Sequence, residues 1–336
     1  MNKPARKGLR PGWVLLLGGL ALLAAILASL CLGAVALSPS RLLSVLLGRG
    51  DEAAVRILLY VRLPRILGTV LAGASLAVAG VVIQAVLNNP LASPGLIGVN
   101  AGAGFMAALV CALLPGQTEL MAPAAFAGAL LAALLVFGAG RATGASRITL
   151  VLAGVAVSGI LSAGIDAIVT LVPDALTGSA MFRIGGLAGV TLDAVTPQWG
   201  IMLAALLAVF LLRNELDVLG LGSETAQSLG LRVGVHRFVF LLLAALLAGS
   251  AVSFAGLLGF VGLLVPHISR RLVGTRSVVL LPCCLILGAV FLTICDLLAR
   301  LLFAPFEIPV GLVLSLLGGP FFLWLLFRQK RRIRHD

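Results

Sequence analysis

Charge is what this sequence has least of. Only 11% of its 336 residues are Asp, Glu, Lys or Arg, where an ordinary soluble domain has about 25%. Apolar residues make up 61%. A water-soluble fold would have too few polar side chains to cover its surface, and a disordered chain would leave all that apolar area in water. Lysine is nearly missing: Lys3, Lys7 and Lys330 are the three present, and none follows a glycine. The GxxxxGK[ST] phosphate loop is therefore absent, and the chain has no standard site for ATP. HExxH, GxSxG and carboxylate-dyad patterns are also absent, so no catalytic residue is assigned. The five cysteines (Cys31, Cys111, Cys283, Cys284 and Cys295) lie in apolar runs. With no CxxC and no histidine at ligand spacing, they make no framework for zinc or redox chemistry, and neither metal nor cofactor is expected.

What is present is long apolar runs with basic flanks. The formal charge is +12, and nine of the 24 cations lie in the two tails, residues 1–12 and 328–336. Basic flanks on apolar spans mark cytoplasmic ends rather than a nucleic-acid partner. The first apolar run, Trp13 to Leu37, is 25 residues long, too long for the core of a cleavable signal and suited to a first membrane helix. About 20 apolar residues cross a bilayer as a helix. On that rule the candidate spans are 13–37, 66–87, 101–115, 120–140, 148–172, 195–212, 237–255, 257–273, 278–299 and 309–327. The expectation is an all-α, polytopic protein of about ten transmembrane helices in one domain, 13–327, with both termini cytoplasmic. That topology puts 17 Lys and Arg residues inside and seven outside, in the sense of the positive-inside rule. Segment 38–65 breaks the rule, with Arg41, Arg49, Arg56, Arg62 and Arg65 on the outer side.

A repeat accompanies the spans. Ala72-Gly73, Ala79-Gly80, Pro90 and Gly98 recur as Ala248-Gly249, Ala255-Gly256, Pro266 and Gly274, at a constant offset of 176 residues. The offset carries span two onto span seven. Five helices is an odd number, so the two copies have opposite topology, an inverted repeat. Two stretches break the helical pattern: one around Asn89, Pro90, Pro94 and Gly95, the other from Gly256 to Arg271 with Gly262, Pro266 and His267. Unwound backbone at membrane depth persists only where protein buries it or water reaches it, so these are either gate-adjacent breaks or loops at the membrane face. Asp166 and Asp296 are acids within spans, and Asp296 can meet Arg300 four residues on. Between spans six and seven, residues 214–235 hold the longest polar stretch. Ser223 as N-cap, Glu224 in the first turn and Gly230 as stop predict a short exposed helix.

Several segments together are distinctive. They are Arg62-Leu63-Pro64-Arg65, Gly73 to Gly80, Gln84, Asn89-Pro90-Leu91-Ala92, Pro94 to Gly98, Leu152 to Ala156, Glu224 to Gly230, Gly259 to Ile268, Asp296 with Ala299-Arg300, Ile308 to Gly311, and Gly318 to Phe322. From about residue 55 to 327 this order closely resembles the FecCD-type permeases, the family of binding-protein-dependent ABC importers for iron–siderophore, haem and vitamin B12. The resemblance implies a homodimer of ten-helix subunits in a bacterial cytoplasmic (inner) membrane, with cytosolic ATP-binding subunits and an extracytoplasmic substrate-binding protein. It makes Ser223, Glu224, Ala226, Ser228, Leu229 and Gly230 the ATPase-coupling helix, and places an inner gate at Ala145 and Ser146. Arg62, Arg65 and Arg300 become the docking positions for the binding protein, against the plainer reading that they anchor helix ends or that Arg300 pairs with Asp296. Gly319 stands where the family commonly has alanine. A different class, an ion-gradient-driven secondary transporter, is also compatible with an inverted repeat.

Overall fold

A computed structural model describes residues 11–33, 37–142 and 147–333. The fold is all-helical. Helix α1 spans Pro11–Cys31, followed by the short α2 (Pro39–Leu46) and α3 (Glu52–Arg56); a π turn, Ile57–Arg62, then leads into α4 (Leu63–Leu87). After a break come α5 (Val99–Leu113), α6 (Met121–Ala142), α7 (Arg147–Leu171) and α8 (Asp174–Ile184). The second half has α9 (Leu192–Leu211), α10 (Arg213–Gly220), α11 (Ser223–Ser228), α12 (Val233–Ala255), α13 (Val261–Val273), α14 (Ser277–Leu301) and α15 (Val310–Ile333). Each of the ten expected spans meets one helix. Among the described residues seven helical stretches are long and apolar enough to cross a membrane. The other three are α5, the apolar part of α15, and α13. Helices α5 and α13 are short because each begins after a break, partway through the bundle. Segment 38–65, expected as a loop, is largely helical. The π turn ends just before Pro64, whose missing amide would have bonded the Tyr60 carbonyl.

The order of elements repeats: a spanning helix, two short helices, a helix, a break, then three helices. Packing repeats with it. Helix α4 packs on α14 as α12 packs on α6; α5 packs on α6 as α13 on α14; and α4 meets α13 as α12 meets α5. Gly68, early in α4, faces Phe254 at the end of α12, so these two equivalent helices run in opposite directions. The residue-level offset does not follow this equivalence. Pro90 lies in the first break while Pro266 sits inside α13, and Gly80 is mid-helix while Gly256 ends α12.

Small residues set the helix crossings. A methyl group on Gly73 would overlap the Gly288 carbonyl of α14, and one on Gly102 would overlap that of Gly128 in α6. Such seams let backbones approach where large side chains would hold them apart. The first break opens at the surface, with Asn88 and Pro90 exposed, while the second, Gly256–Phe260, is buried or half-buried throughout. Asn88 closes α4 in the left-handed region (φ 47°) and Asn89 Oδ1 accepts from the Leu91 amide at 2.9 Å, an Asx turn. In the second break Phe260 also has positive φ (64°), a cost for a bulky residue. Its ring fills the space a side chain at Gly318 would need.

The second break is Gly256–Phe260, so it lies earlier than expected: Gly262, Pro266 and His267 belong to a continuous α13. Proline is tolerated there for a specific reason. Its missing N–H would have bonded the carbonyl of Gly262, four residues back, and Gln84 Nε2 of α4 donates to that carbonyl instead, at 3.2 Å. Arg270 donates to Gln84 Oε1 in turn. Gln84→Leu would leave both partners without this amide in the interior. It is expected to cost about 1–3 kcal/mol, read as a lower unfolding midpoint of the detergent-solubilised protein. An unchanged midpoint would mean that water or another group serves Gly262.

Candidate functional site: two polar ends of an apolar bundle

Polar side chains concentrate at the two ends. Ser29 near the end of α1 meets Arg300 near the end of α14, and Asp217 of α10 meets the first residue of α14. The arginine end and the α10 end are therefore opposite. Pro11, the first described residue, and Ile333, the last, both lie on the α10 end by helix direction. Residues 1–10 and 334–336, the bulk of the expected tails, lie outside the described residues, and α15 continues through position 328.

At the arginine end, helices α1, α4, α14 and the start of α15 converge. Arg62, Arg65 and Arg300 are 4%, 6% and 3% exposed. The three expected docking arginines are thus buried within this chain, not displayed at its surface. Arg65 Nε lies 3.1 and 3.0 Å from the two carboxylate oxygens of Asp296, and its Nη1 is 2.6 Å from Glu307 Oε2. Arg300 Nε is 3.2 Å from Asp296 Oδ2, as the i,i+4 spacing predicts, and a further N–H reaches Ser29 Oγ. Arg62 donates to the Leu30 carbonyl. Three cations in an apolar bundle stay charged only with such partners. Elsewhere in segment 38–65, Arg41 pairs with Asp51 at 2.6 Å and Arg56 with Glu52 at 2.5 Å. Both pairs are exposed, and the Arg41 hydrogen bond holds the Asp51 carboxyl below its usual range.

At the α10 end the expected short helix is α11, and a further helix, α10, precedes it. Gly222 precedes α11, so Ser223 is its first residue rather than its cap, and its hydroxyl makes no capping bond. It receives instead Arg237 Nη2 at 2.9 Å and Arg147 Nη2 at 3.3 Å, tying α11 to the starts of α12 and α7. Asp217 of α10 accepts the Ser277 amide at 2.9 Å, satisfying a free donor at the start of α14. Glu224, Thr225, Gln227, Ser228 and Leu229 are exposed and Gly230 has φ 83°, the expected stop. Ala226 is fully buried within the chain. A bulky residue there would strike this chain's own core, not a partner, because the inward face of a six-residue helix must pack on α10 and α12. The expected gate residues Ala145 and Ser146 lie outside the described residues.

A cleft of about 560 Å³ between α4, α10 and the α13–α14 turn is lined by Gln84, Asn88, Asn89, Asp217, Arg270 and Arg276. Asn89 and Pro90 of the first break line it too, whereas Pro94 and Gly95 lie in or beside the single turn Pro94–Ile97 that leads to α5. Sequence reasoning missed Asp217, Glu307, Arg147 and Arg237 as partners. Gln84 carried a usable signal, since an amide inside an apolar helix needs a partner. Helix α7 is the least buried of the described spans, and one of its exposed faces carries Ala156, Gly159, Ala163, Asp166 and Thr170.

Similarity to known proteins follows the same extent of chain. The pattern of the FecCD transport family matches residues 21–328. The Fe(3+)-citrate import system permease protein YfmE of Bacillus subtilis is 36% identical over 99% of this chain and 100% of its own. The hemin transport system permease protein HmuU of Yersinia pestis is 36% identical over 95% of this chain and 97% of its own. A solved structure of a metal-chelate type ABC transporter in an inward-facing conformation superimposes with a TM-score of 0.85 at 28% identity, over 94% of this chain and 99% of that one. The PsaBC structure from Streptococcus pneumoniae shares the fold at a TM-score of 0.54 and 19% identity, over 77% and 88%. With its multi-pass helical bundle, this chain is a permease and belongs to the FecCD transport family.

Proposed function

We propose that this chain is the membrane subunit of an ATP-driven importer of a bulky metal chelate. Ferric siderophore is the favoured cargo, with haem and cobalamin in the same class. The observation that carries the reading is the α10–α11 pair: exposed side chains on a short helix whose neighbours are tied to α7, α12 and α14. A push on that helix reaches three spanning helices through Ser223 and Asp217. In this reading the α10 end is cytoplasmic, with both termini, and α11 docks a separate ATPase, which supplies the phosphate loop this sequence lacks. The arginine end then faces an extracytoplasmic binding protein, and the host membrane is a bacterial cytoplasmic membrane.

A second copy of the chain completes the path. The small-residue face of α7, with Asp166 on it, is unsuited to lipid and suits a partner helix or a wet channel. The relatives named for ferric citrate and hemin support a large chelate as cargo. The ion-gradient alternative is disfavoured because Asp296, the buried acid it would use, is already shared by Arg65 and Arg300.

Coupling is testable at Glu224, which is exposed. Glu224→Arg opposes the helix dipole by only about 0.3–1 kcal/mol, so folding is expected to survive. Affinity for the ATPase should fall about tenfold, or about 1.4 kcal/mol, in a pull-down from a strain expressing both subunits. Undiminished ATPase recovery together with normal transport would remove α11 from the coupling role.

A further inference from the structure

The two carboxylates at the arginine end are not alike. Asp296 is 1% exposed and is gripped by two guanidinium groups, Arg65 and Arg300. Taking it away would strand two buried cations. Glu307 has a 30% exposed side chain and one charged contact, Arg65 Nη1 at 2.6 Å. It lies on the segment between α14 and α15, where Leu302, Phe303 and Phe306 stand exposed. An apolar patch beside a solvent-reachable charge pair has the composition of an interface centre and its rim. Asp296 closes the Nε edge of Arg65, so a carboxylate from outside the chain reaches this guanidinium through the position Glu307 holds. The cluster of Arg62, Arg65 and Arg300 with Asp296 and Glu307 has one cation in excess, which draws such a carboxylate in.

We propose that Glu307 is a built-in stand-in for a carboxylate of the docking protein. It neutralises Arg65 while the permease is undocked and yields Arg65 to an acidic side chain of the partner on docking. This inference rests on the docking reading proposed above. The stand-in solves a physical problem: a docking arginine this deeply placed would otherwise be a buried cation short of a counter-charge whenever the partner is away. It also sets the affinity, because its own bond to Arg65 must break before the partner's forms. Rim charges act chiefly through association rate and salt dependence, so removing the competitor strengthens both.

The test titrates the binding protein of the same importer onto immobilised, nanodisc-held permease at two salt concentrations. Glu307→Gln keeps the shape and removes the charge. It is expected to tighten docking about 3- to 10-fold and to steepen the salt dependence. Glu307→Asp, one methylene shorter, should tighten docking less. It serves as the second variant if the glutamine form does not fold. Equal or weaker docking by both variants, with the wild type docking normally, overturns the exchange and leaves the importer reading standing. Failure of the wild type itself to dock overturns both.

Discussion

Asp296→Ala is expected to be among the most damaging single substitutions in this chain. Asp296 is 1% exposed and both its carboxylate oxygens are engaged, by Arg65 and by Arg300. Alanine would leave two guanidinium groups in the bundle without their shared anion, and breaking a buried pair from one side costs about 3–5 kcal/mol. The expected result is a large drop in folded protein recovered by size exclusion and a much lower thermal midpoint. Asp296→Asn, which keeps an acceptor oxygen for one arginine but turns a donor toward the other and carries no charge, should fall between. Removing Asp296 and Arg300 together should cost less than the sum of the single changes, because the second removal takes away one stranded cation. A stability within about 1 kcal/mol of wild type for Asp296→Ala would mean that water or lipid phosphate neutralises the arginines.

Gly80→Ala is expected to act through backbone contact rather than charge. At this position α4 crosses α13, and an added methyl would overlap the Gly262 carbonyl oxygen while sitting 2.6 Å from its carbonyl carbon and 2.7 Å from its Cα. No side chain can rotate away, so α13 itself must move. The cost of such overpacking is about 3 kcal/mol. The same displacement pulls Gly262 from Gln84, so loss of transport should accompany the loss of stability. Gly200→Ala is the control: it is exposed in the interior of α9 with nothing within 4 Å of an added methyl, and it should be neutral or slightly stabilising. Similar effects for both changes would contradict the close crossing.

The fold was legible because hydrophobic length and punctuation carry it. Apolar runs longer than 18 residues fixed most spans, and the Asn-Asn-Pro and Gly-rich stretches marked both breaks. Depth was harder to read. Pro266 looked like a helix breaker in sequence, yet a side chain 182 residues away supplies the bond it lacks, and no local pattern contains Gln84's orientation. The arginine cluster was half legible. The excess of arginines on the outer side announced a role, and the Asp296–Arg300 spacing gave one pair. That Arg62 and Arg65 precede a span placed them at the outer end of the bundle but did not show their burial, which comes from the convergence of four elements, including Glu307 from the far end of the chain. Reversing the charge of Arg62 and Arg65 would therefore damage the fold as well as any docking. On the α10 side, composition announced a polar helix, but the inward face of Ala226 and the Ser223 contacts needed the packing of α10 and α12.

Transport reconstituted from defined parts tests the central claim most directly. Proteoliposomes would hold this chain alone, or with its ATPase, and be supplied with the binding protein and a ferric siderophore. The account predicts siderophore uptake only with the ATPase, hydrolysable ATP and the binding protein all present, and none with a proton or sodium gradient alone. Uptake by the chain alone under an ion gradient would contradict it.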